Sequence, residues 1–228
     1  MDNFKLTRPS LVFDFDGTMV KLFSNYNLKK TSSHLKEVVK KYGVGFDDKL
    51  DAFDVFSVIS CALSPTDTRR AEAYREADAV LTEAELEAVV TGQPVDGVAE
   101  GLTQLFEEGF NLGIATNNSA KCVSAFMSRY CPTVAIPVVG RVGERPELMK
   151  PDAWSLVTVM NKMGCVAQNT ILIGDTSRDY ECAVTAGCKF IGMAHSGYKF
   201  ERLLKIIDAK DIVCNYSELE EKLLGISG

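Results

Sequence analysis

A mainly parallel α/β sheet flanked by helices, with a small helical domain inserted near its start, is the fold the sequence predicts. Three observations predict it. Short β-rich apolar runs recur along the chain, each ending in a polar or glycine-containing turn, as strands buried on both faces do. Helical periodicities separate those runs, which is the alternation of a parallel βα sheet. One block, residues 20–93, breaks the alternation and reads as helix with no convincing strand.

The first strand is expected over residues 11–15 (LVFDF). The helical block then opens over 28–42, where Leu35, Val38, Val39 and Tyr42 share one stripe. A second helix is expected over 47–63, carrying Leu50, Phe53, Phe56 and Ile59. Two more follow over 66–80 and 82–90, the latter opened by Thr82 with Glu85 three residues on, a capping-box pattern. Gly92-Gln93-Pro94 closes the block. A connection this long is not an ordinary βα loop. The expected division is therefore an α/β core, residues 1–19 and 94–228, and a helical domain, residues 20–93.

Beyond the block the alternation resumes. Val98, Leu102, Leu105 and Phe106 mark a helix over 98–108, and 112–116 (LGIAT) marks a strand. Val123, Phe126, Met127 and Tyr130 mark a helix over 119–130, followed by a strand over 134–139. Leu156, Val157, Val159 and Met160 mark the helix over 152–163. Strands over 170–173, 190–193 and 211–214 then alternate with helices over 178–186 and 199–207.

Composition narrows the class. Lys and Arg number 25 and Asp and Glu 31, a net charge of −6, so the chain lacks the broad basic field of a nucleic-acid or membrane-surface binder. The longest nearly apolar stretch, residues 55–63, falls far short of a membrane helix. Residues 1–10 are polar and lack the order of a signal peptide. The seven cysteines are odd in number and form neither a C-x-x-C pair nor a Cys–His cluster. A reduced, cytoplasmic setting is expected, with the thiols as small core residues.

The chemistry is expected at the carboxyl ends of the strands, where an open α/β sheet leaves a crevice. Asp14-Phe15-Asp16-Gly17-Thr18 follows the first strand, Thr116-Asn117-Asn118-Ser119 the second, and Gly174-Asp175-Thr176-Ser177-Arg178-Asp179 the fourth; Lys150-Pro151 precedes a helix. Four carboxylates at one rim repel unless a cation or proton intervenes. Mg2+ suits such a set of hard oxygens. The Thr116 hydroxyl, the Lys150 ammonium and the free N–H groups of a helix opening at Ser119 suit an anion. Metal-holding acids beside anion-holding donors describe phosphoryl transfer.

These four segments, in this order, resemble the haloacid dehalogenase (HAD) superfamily. Asp14-Phe15-Asp16-Gly17-Thr18 looks like its first motif in the phosphatase form, Ile114-Ala115-Thr116-Asn117 the second, Lys150-Pro151 the third, and Gly174-Asp175 with Asp179 the fourth. The resemblance implies a Rossmann-like parallel-sheet core with an inserted all-helical cap, and residues 192–223 most resemble phosphoglycolate-phosphatase-like members. It implies a Mg2+-dependent phosphatase acting on a small phosphorylated metabolite. Asp14 would be the nucleophile that forms an aspartyl-phosphate, and Asp16 the general acid and then base. Thr116, Asn117 and Lys150 would bind the phosphoryl group. Asp14, the Asp16 backbone carbonyl and Asp175 would hold Mg2+, with Asp179 a ligand directly or through water. The acid at position 16 favours phosphate chemistry over carbon–halogen cleavage, since halide needs no proton. One departure is Lys21, which stands at the linker into the insert where many cap-bearing members carry an acid.

Other residues carry weaker expectations. His34 is expected to face solvent among lysines, and His195 to stay out of the chemistry. Arg69 and Arg70 are read as a solvated helix face, Phe46, Phe53 and Phe56 as cap core, and Arg141 and Arg145 as either phosphate-steering or loop decoration. The alternative functions are a sugar-phosphate mutase of the same superfamily and a phospho-receiver switch, which the long insert disfavours. Oligomeric state stays open between monomer and homodimer.

Overall fold

The computed structural model describes residues 8–47 and 50–225. In chain order, β1 (Ser10–Phe13) leads through the two-residue β2 (Val20–Lys21) into α1 (Leu28–Lys40), α2 (Val55–Ala62) and α3 (Arg70–Thr91). β3 (Gln93–Pro94) closes this excursion, and α4 (Val98–Glu107), β4 (Leu112–Ala115), α5 (Ala120–Tyr130) and β5 (Val138–Val139) follow. The remainder is α6 (Trp154–Met163), β6 (Thr170–Gly174), α7 (Ser177–Ala186), β7 (Lys189–Met193), α8 (Gly197–Leu203), β8 (Ile212–Val213) and α9 (Tyr216–Gly225).

Six strands form one parallel sheet in the order β5-β4-β1-β6-β7-β8. β1 sits inside it, with Val12 opposite Gly113 of β4 and Leu172 of β6. Side chains alternate across a strand, and the two faces carry separate cores. Leu11 and Phe13 join Ile171, Ile173, Leu102 and Leu105 of α4, Phe126 of α5 and Leu219 of α9. Val12 and Leu172 join Leu156 and Val159 of α6 and Cys182 of α7 on the other side. Each such fully buried aliphatic or aromatic side chain contributes roughly 1.5–3 kcal/mol of transfer free energy. Tyr216 of α9 stacks on Phe13 with ring centroids 6.3 Å apart and donates its hydroxyl to the Thr18 carbonyl at 3.3 Å. The C-terminal helix thereby braces the loop that leaves β1.

A third core belongs to the helical insert. Leu35, Val38 and Val39 of α1, Val55, Phe56 and Ile59 of α2, and Ala73, Tyr74, Ala77, Val80 and Leu81 of α3 pack together. The next turns of α3 leave that cluster, since Ala88 and Val89 pack with the sheet's core. One helix therefore runs from the core of the insert into the core of the sheet.

Several expectations need correction. A single helix, Arg70–Thr91, stands in place of the two expected over 66–80 and 82–90. No helix-breaking residue interrupts it, and Glu85 points to a partner outside the helix instead of capping Thr82. The insert is not free of strand: β2 and β3 pair antiparallel, Val20 with Pro94 and Lys21 with Gln93, where the chain leaves and rejoins the sheet domain. The strand expected over 134–139 shrinks to two residues, because Pro137 has no N–H to offer a ladder. Leu50 is 40% exposed and lies outside the insert's core, whose second helix begins only at Val55. Among the described residues no helix is long and apolar enough to cross a membrane, and all seven cysteines are free thiols.

Candidate active site

The carboxyl edge of the sheet brings the strand-end groups together. Asp14 follows β1 directly, and its N–H donates to the Ile173 carbonyl of β6 at 2.8 Å. The chain then turns sharply at Gly17, where φ is +90°. A Cβ at that position would also collide with the Asp175 carboxylate and the Lys199 ammonium, so backbone conformation and space both demand glycine. Asp16 aims its Oδ1 at the Leu22 N–H, 3.0 Å away, at the start of the passage into the insert.

Lys150 is buried at the centre of the acids. Its Nζ donates to Asp14 Oδ1 and Asp179 Oδ1, both at 2.5 Å. Asn117 fixes its backbone in two directions: Asn117 Oδ1 accepts the Lys150 N–H at 2.7 Å, and Asn117 Nδ2 donates to the Lys150 carbonyl at 3.0 Å. Asp179, in the first turn of α7, accepts from the Thr176 N–H at 3.1 Å and the Thr176 hydroxyl at 2.6 Å. Both its oxygens are thus engaged. Asp175 ends β6 and takes the Lys199 ammonium on Oδ2; Lys199 also donates to the Gly17 carbonyl at 3.0 Å.

Charge dominates this rim. Burial pushes the Asp14 carboxyl up to about 7; Lys150 opposes the rise, while Asp179 and Asp175 add to it. Burial pushes Asp16 up to about 6, against the stabilising Leu22 hydrogen bond. Burial raises Asp175 as well, although Lys199 pulls it down. Burial alone would lower the Lys150 ammonium, but Asp14 and Asp179 hold it above its ordinary value. Lys150 therefore stays cationic at neutral pH. Four carboxylates face two ammonium groups, an excess of two negative charges when all are ionised.

The donor set fits a hard divalent cation. One oxygen each from Asp14, Asp175 and Asp179 lie within 4.8 Å of one another. Asp175 Oδ1 is buried and accepts no hydrogen bond among the described residues. An all-oxygen group with an unmatched buried acceptor suits Mg2+ and offers nothing to a soft metal. The Asp16 side chain lies outside this cluster.

A cavity of about 370 Å³ opens on these groups, lined by Asp14, Asp16, Asn117, Lys150, Asp175 and Asp179 together with Asn118, Thr176 and Arg178. Asp51, Phe53, Asp54 and Met149 also line it, the first three from the insert. Phe53, Asp54, Met149, Lys150 and Arg178 continue into a second cavity of about 680 Å³, which reaches Arg70. Phe53 is therefore part of the cleft wall, whereas Phe46 and Phe56 are buried in the insert as expected.

At the second strand end the Thr116 hydroxyl and the helix opening at Ser119 both find partners within the chain. Thr116 is buried beside the cavity, its hydroxyl donating to Asn118 Oδ1 at 3.0 Å and accepting the Asn118 N–H at 3.1 Å. The helix opening at Ser119 does not present a free N–H there, because Ser119 N–H donates to Glu85 Oε2 of α3 at 2.8 Å. Arg141 neither steers phosphate nor decorates a loop; it is buried against Glu85 and Asp78. Arg145 is exposed and pairs with Glu147. Arg69 pairs outward with Asp67, and His34 faces solvent. His195 comes within 3.4 Å of Lys199 Nζ, and burial lowers it to about 4, so it is neutral at pH 7.

Lys199 was not expected at the site, and Glu85 was expected only as a helix-capping residue. Lys199 lies four residues past His195 in a short helix, and nothing local distinguishes it from a surface lysine. For Glu85 a signal existed: an acid in the middle of the alanine-rich face of a helix, at positions otherwise buried.

A family model described as haloacid dehalogenase-like hydrolase matches residues 11–193. The chain is 27% identical over 226 residues to "Probable phosphatase IndB" of Dickeya dadantii, covering 93% of this chain and 92% of that protein. It is 25% identical over 122 residues to a phosphoglycolate phosphatase of Salmonella typhi, covering 54% of this chain and 48% of that one. A crystal structure of a hydrolase from Pseudomonas syringae superposes with a TM-score of 0.67 at 18% identity, covering 96% of this chain and 99% of that one, a likeness of fold.

Proposed function

The chain belongs to the haloacid dehalogenase-like hydrolases, and from that premise we propose that it is a Mg2+-dependent phosphatase working through an aspartyl-phosphate on Asp14. Its substrate is a small phosphomonoester in the size class of phosphoglycolate. The observation that carries the reading is the meeting of Asp14, Lys150, Asp175 and Asp179 at one cavity, with a buried Asp175 oxygen left unmatched. We take residues 20–93 as the cap, and Phe53 and Asp54 as the part of it that meets the leaving group. The free thiols suit a cytoplasmic enzyme.

Mg2+, held by Asp14, Asp175 and the Asp16 carbonyl with Asp179 nearby, would neutralise charge on the phosphate and on Asp14. Lys150 holds the phosphoryl oxygens and offsets the charge that grows on them, and Thr116 joins it by turning its hydroxyl from Asn118 Oδ1 toward the phosphate. The insert side of the cleft limits access of bulk water. An Asp14 oxygen forms the new bond to phosphorus while the bond to the leaving oxygen breaks. Asp16, raised to about 6, keeps a share of its proton near neutral pH and delivers it to that oxygen. Asp16, now ionised, takes a proton from the water that attacks phosphorus. Inorganic phosphate leaves and Asp14 is free again.

The test is hydrolysis of 4-nitrophenyl phosphate with and without Mg2+, in wild type and Asp14→Asn. Metal-dependent turnover that falls roughly 10⁴-fold or more in the variant is expected. Turnover that survives the substitution would remove Asp14 as the nucleophile. Accumulated phosphoenzyme that resists water but transfers to a sugar would indicate a mutase.

A further inference from the structure

Arg141 and Glu85 form an ion pair whose side chains are both 0% exposed. It joins the insert to the loop after β5. On α3, Asp78, Thr82 and Glu85 lie at i, i+4 and i+7, one face of a helix. Arg141 answers all three: Nε donates to Asp78 Oδ1 at 2.6 Å, Nη1 to Glu85 Oε1 at 2.8 Å, and Nη2 reaches Thr82 Oγ1 at 3.4 Å. The loop itself is seated closely, since a Cβ on Gly143 would run into the Asp78 side chain and Glu144 pairs with Arg75 at 3.0 Å.

A buried ion pair is a poor source of net stability; a well-packed apolar pair of similar volume is commonly as stable or more so. What this pair does hold is the turn 116–119. Glu85 accepts from Asn118 Nδ2 at 3.1 Å and from the Ser119 N–H at 2.8 Å. Arg141 Nη1 donates to the Asn117 carbonyl at 2.8 Å, and the Arg141 N–H to the Asn118 carbonyl at 2.9 Å. Each held residue holds a phosphate-side group in turn. Asn118 makes two hydrogen bonds with the Thr116 hydroxyl, and Asn117 clamps the Lys150 backbone from both sides.

We propose that Glu85, through Arg141, Asn117 and Asn118, is a positioning residue for phosphoryl transfer that fixes Thr116 and Lys150 from the cap side. The anion at the start of α5 is then the protein's own carboxylate. The same contacts tie α3, whose earlier turns carry the insert's core, to the loop after β5. The inference rests on the phosphatase reading above.

The experiment compares wild type with Glu85→Met, Arg141→Met and the double variant. Arg141→Met leaves the buried Glu85 carboxylate without its cation, Glu85→Met leaves Arg141 with only the partly exposed Asp78, and each lowers the urea midpoint; the double change removes both buried charges and regains most of it. Each single variant keeps one residue's side-chain contacts to the turn; the double variant keeps none of them, only the residue-141 N–H on the Asn118 carbonyl. Expected with 4-nitrophenyl phosphate and Mg2+ is a kcat about 100-fold down in the double variant, with a smaller change in KM. Recovery of kcat to within about threefold of wild type alongside the midpoint would make the pair merely structural and overturn the proposal. If wild type itself does not hydrolyse the ester, the phosphatase reading fails first. Inorganic phosphate binding by calorimetry then decides the present inference, with equal affinity in wild type and the double variant counting against it. Asp78→Asn loosens the same grip from its partly exposed end and serves if the double variant does not fold. It should lower kcat a few-fold at unchanged melting temperature, and an unchanged kcat overturns the proposal.

Discussion

Asp16→Asn should make the metal-free protein more stable at pH 8 while stopping its turnover. The ordinary aspartate value is 3.8, and burial raises Asp16 to about 6. At 1.36 kcal/mol per pH unit, that rise is worth roughly 3 kcal/mol. The direction follows from proton counting. Between pH 4 and 6 the folded protein keeps a proton that the unfolded chain has released, so stability falls as pH rises. The neutral carboxyl's advantage is fully present below about 3.8 and lost once pH passes about 6. Asparagine never carries the charge, and its Oδ1 can accept the Leu22 N–H that Asp16 accepts at 3.0 Å. Urea unfolding in EDTA at pH 4, 5, 6, 7 and 8 measures the difference between variant and wild type. It should be near zero at pH 4 and grow to about 2–3 kcal/mol by pH 8, the contributions of Asp14 and Asp175 cancelling between the two proteins. A difference that does not grow with pH, or a wild type that is the more stable at pH 8, would refute the assignment of a desolvated, acid-competent Asp16.

Lys150→Met strips the buried Asp14 and Asp179 carboxylates of their shared cation and should lower stability by about 3–5 kcal/mol in metal-free urea unfolding. Mg2+ at 100 times its dissociation constant should stabilise the folded protein by about 2.7 kcal/mol, seen as a raised melting temperature; Asp175→Asn should abolish most of that shift. Mg2+ competes with the proton on Asp14, which burial raises to about 7. Its apparent affinity in calorimetry should therefore rise about tenfold from pH 6 to pH 8, and a pH-independent affinity would count against Asp14 as a ligand.

Much of the sheet was legible because its strands are short apolar runs buried on both faces, as in LVF at 11–13 and TILI at 170–173. Its weakest members were less so: β5 was expected over 134–139 and keeps two residues, and the two-residue β2–β3 pair, too short to leave a periodicity, was not expected. The insert read correctly as helix, but Thr82 and Glu85 suggested a boundary that the continuous helix overrides.

By itself the sequence determined the chemistry available at the sheet's edge and the order in which it arrives: Asp14, Thr116 and Asp175 each follow a strand, Lys150 stands before a helix, and parallel strands turn all their carboxyl ends to one rim. Only the tertiary structure decided how those groups share their partners. It alone assigns Asn117 to the Lys150 backbone, Asp179 to both Thr176 and Lys150, Lys199 to Asp175, and Glu85 with Arg141 to the turn beneath Thr116. The physical reason is that strand and helix periods are local and written in neighbouring residues. A buried charge instead takes whichever distant partner folding brings within about 3 Å, and Glu85 and Arg141 are 56 residues apart in the chain.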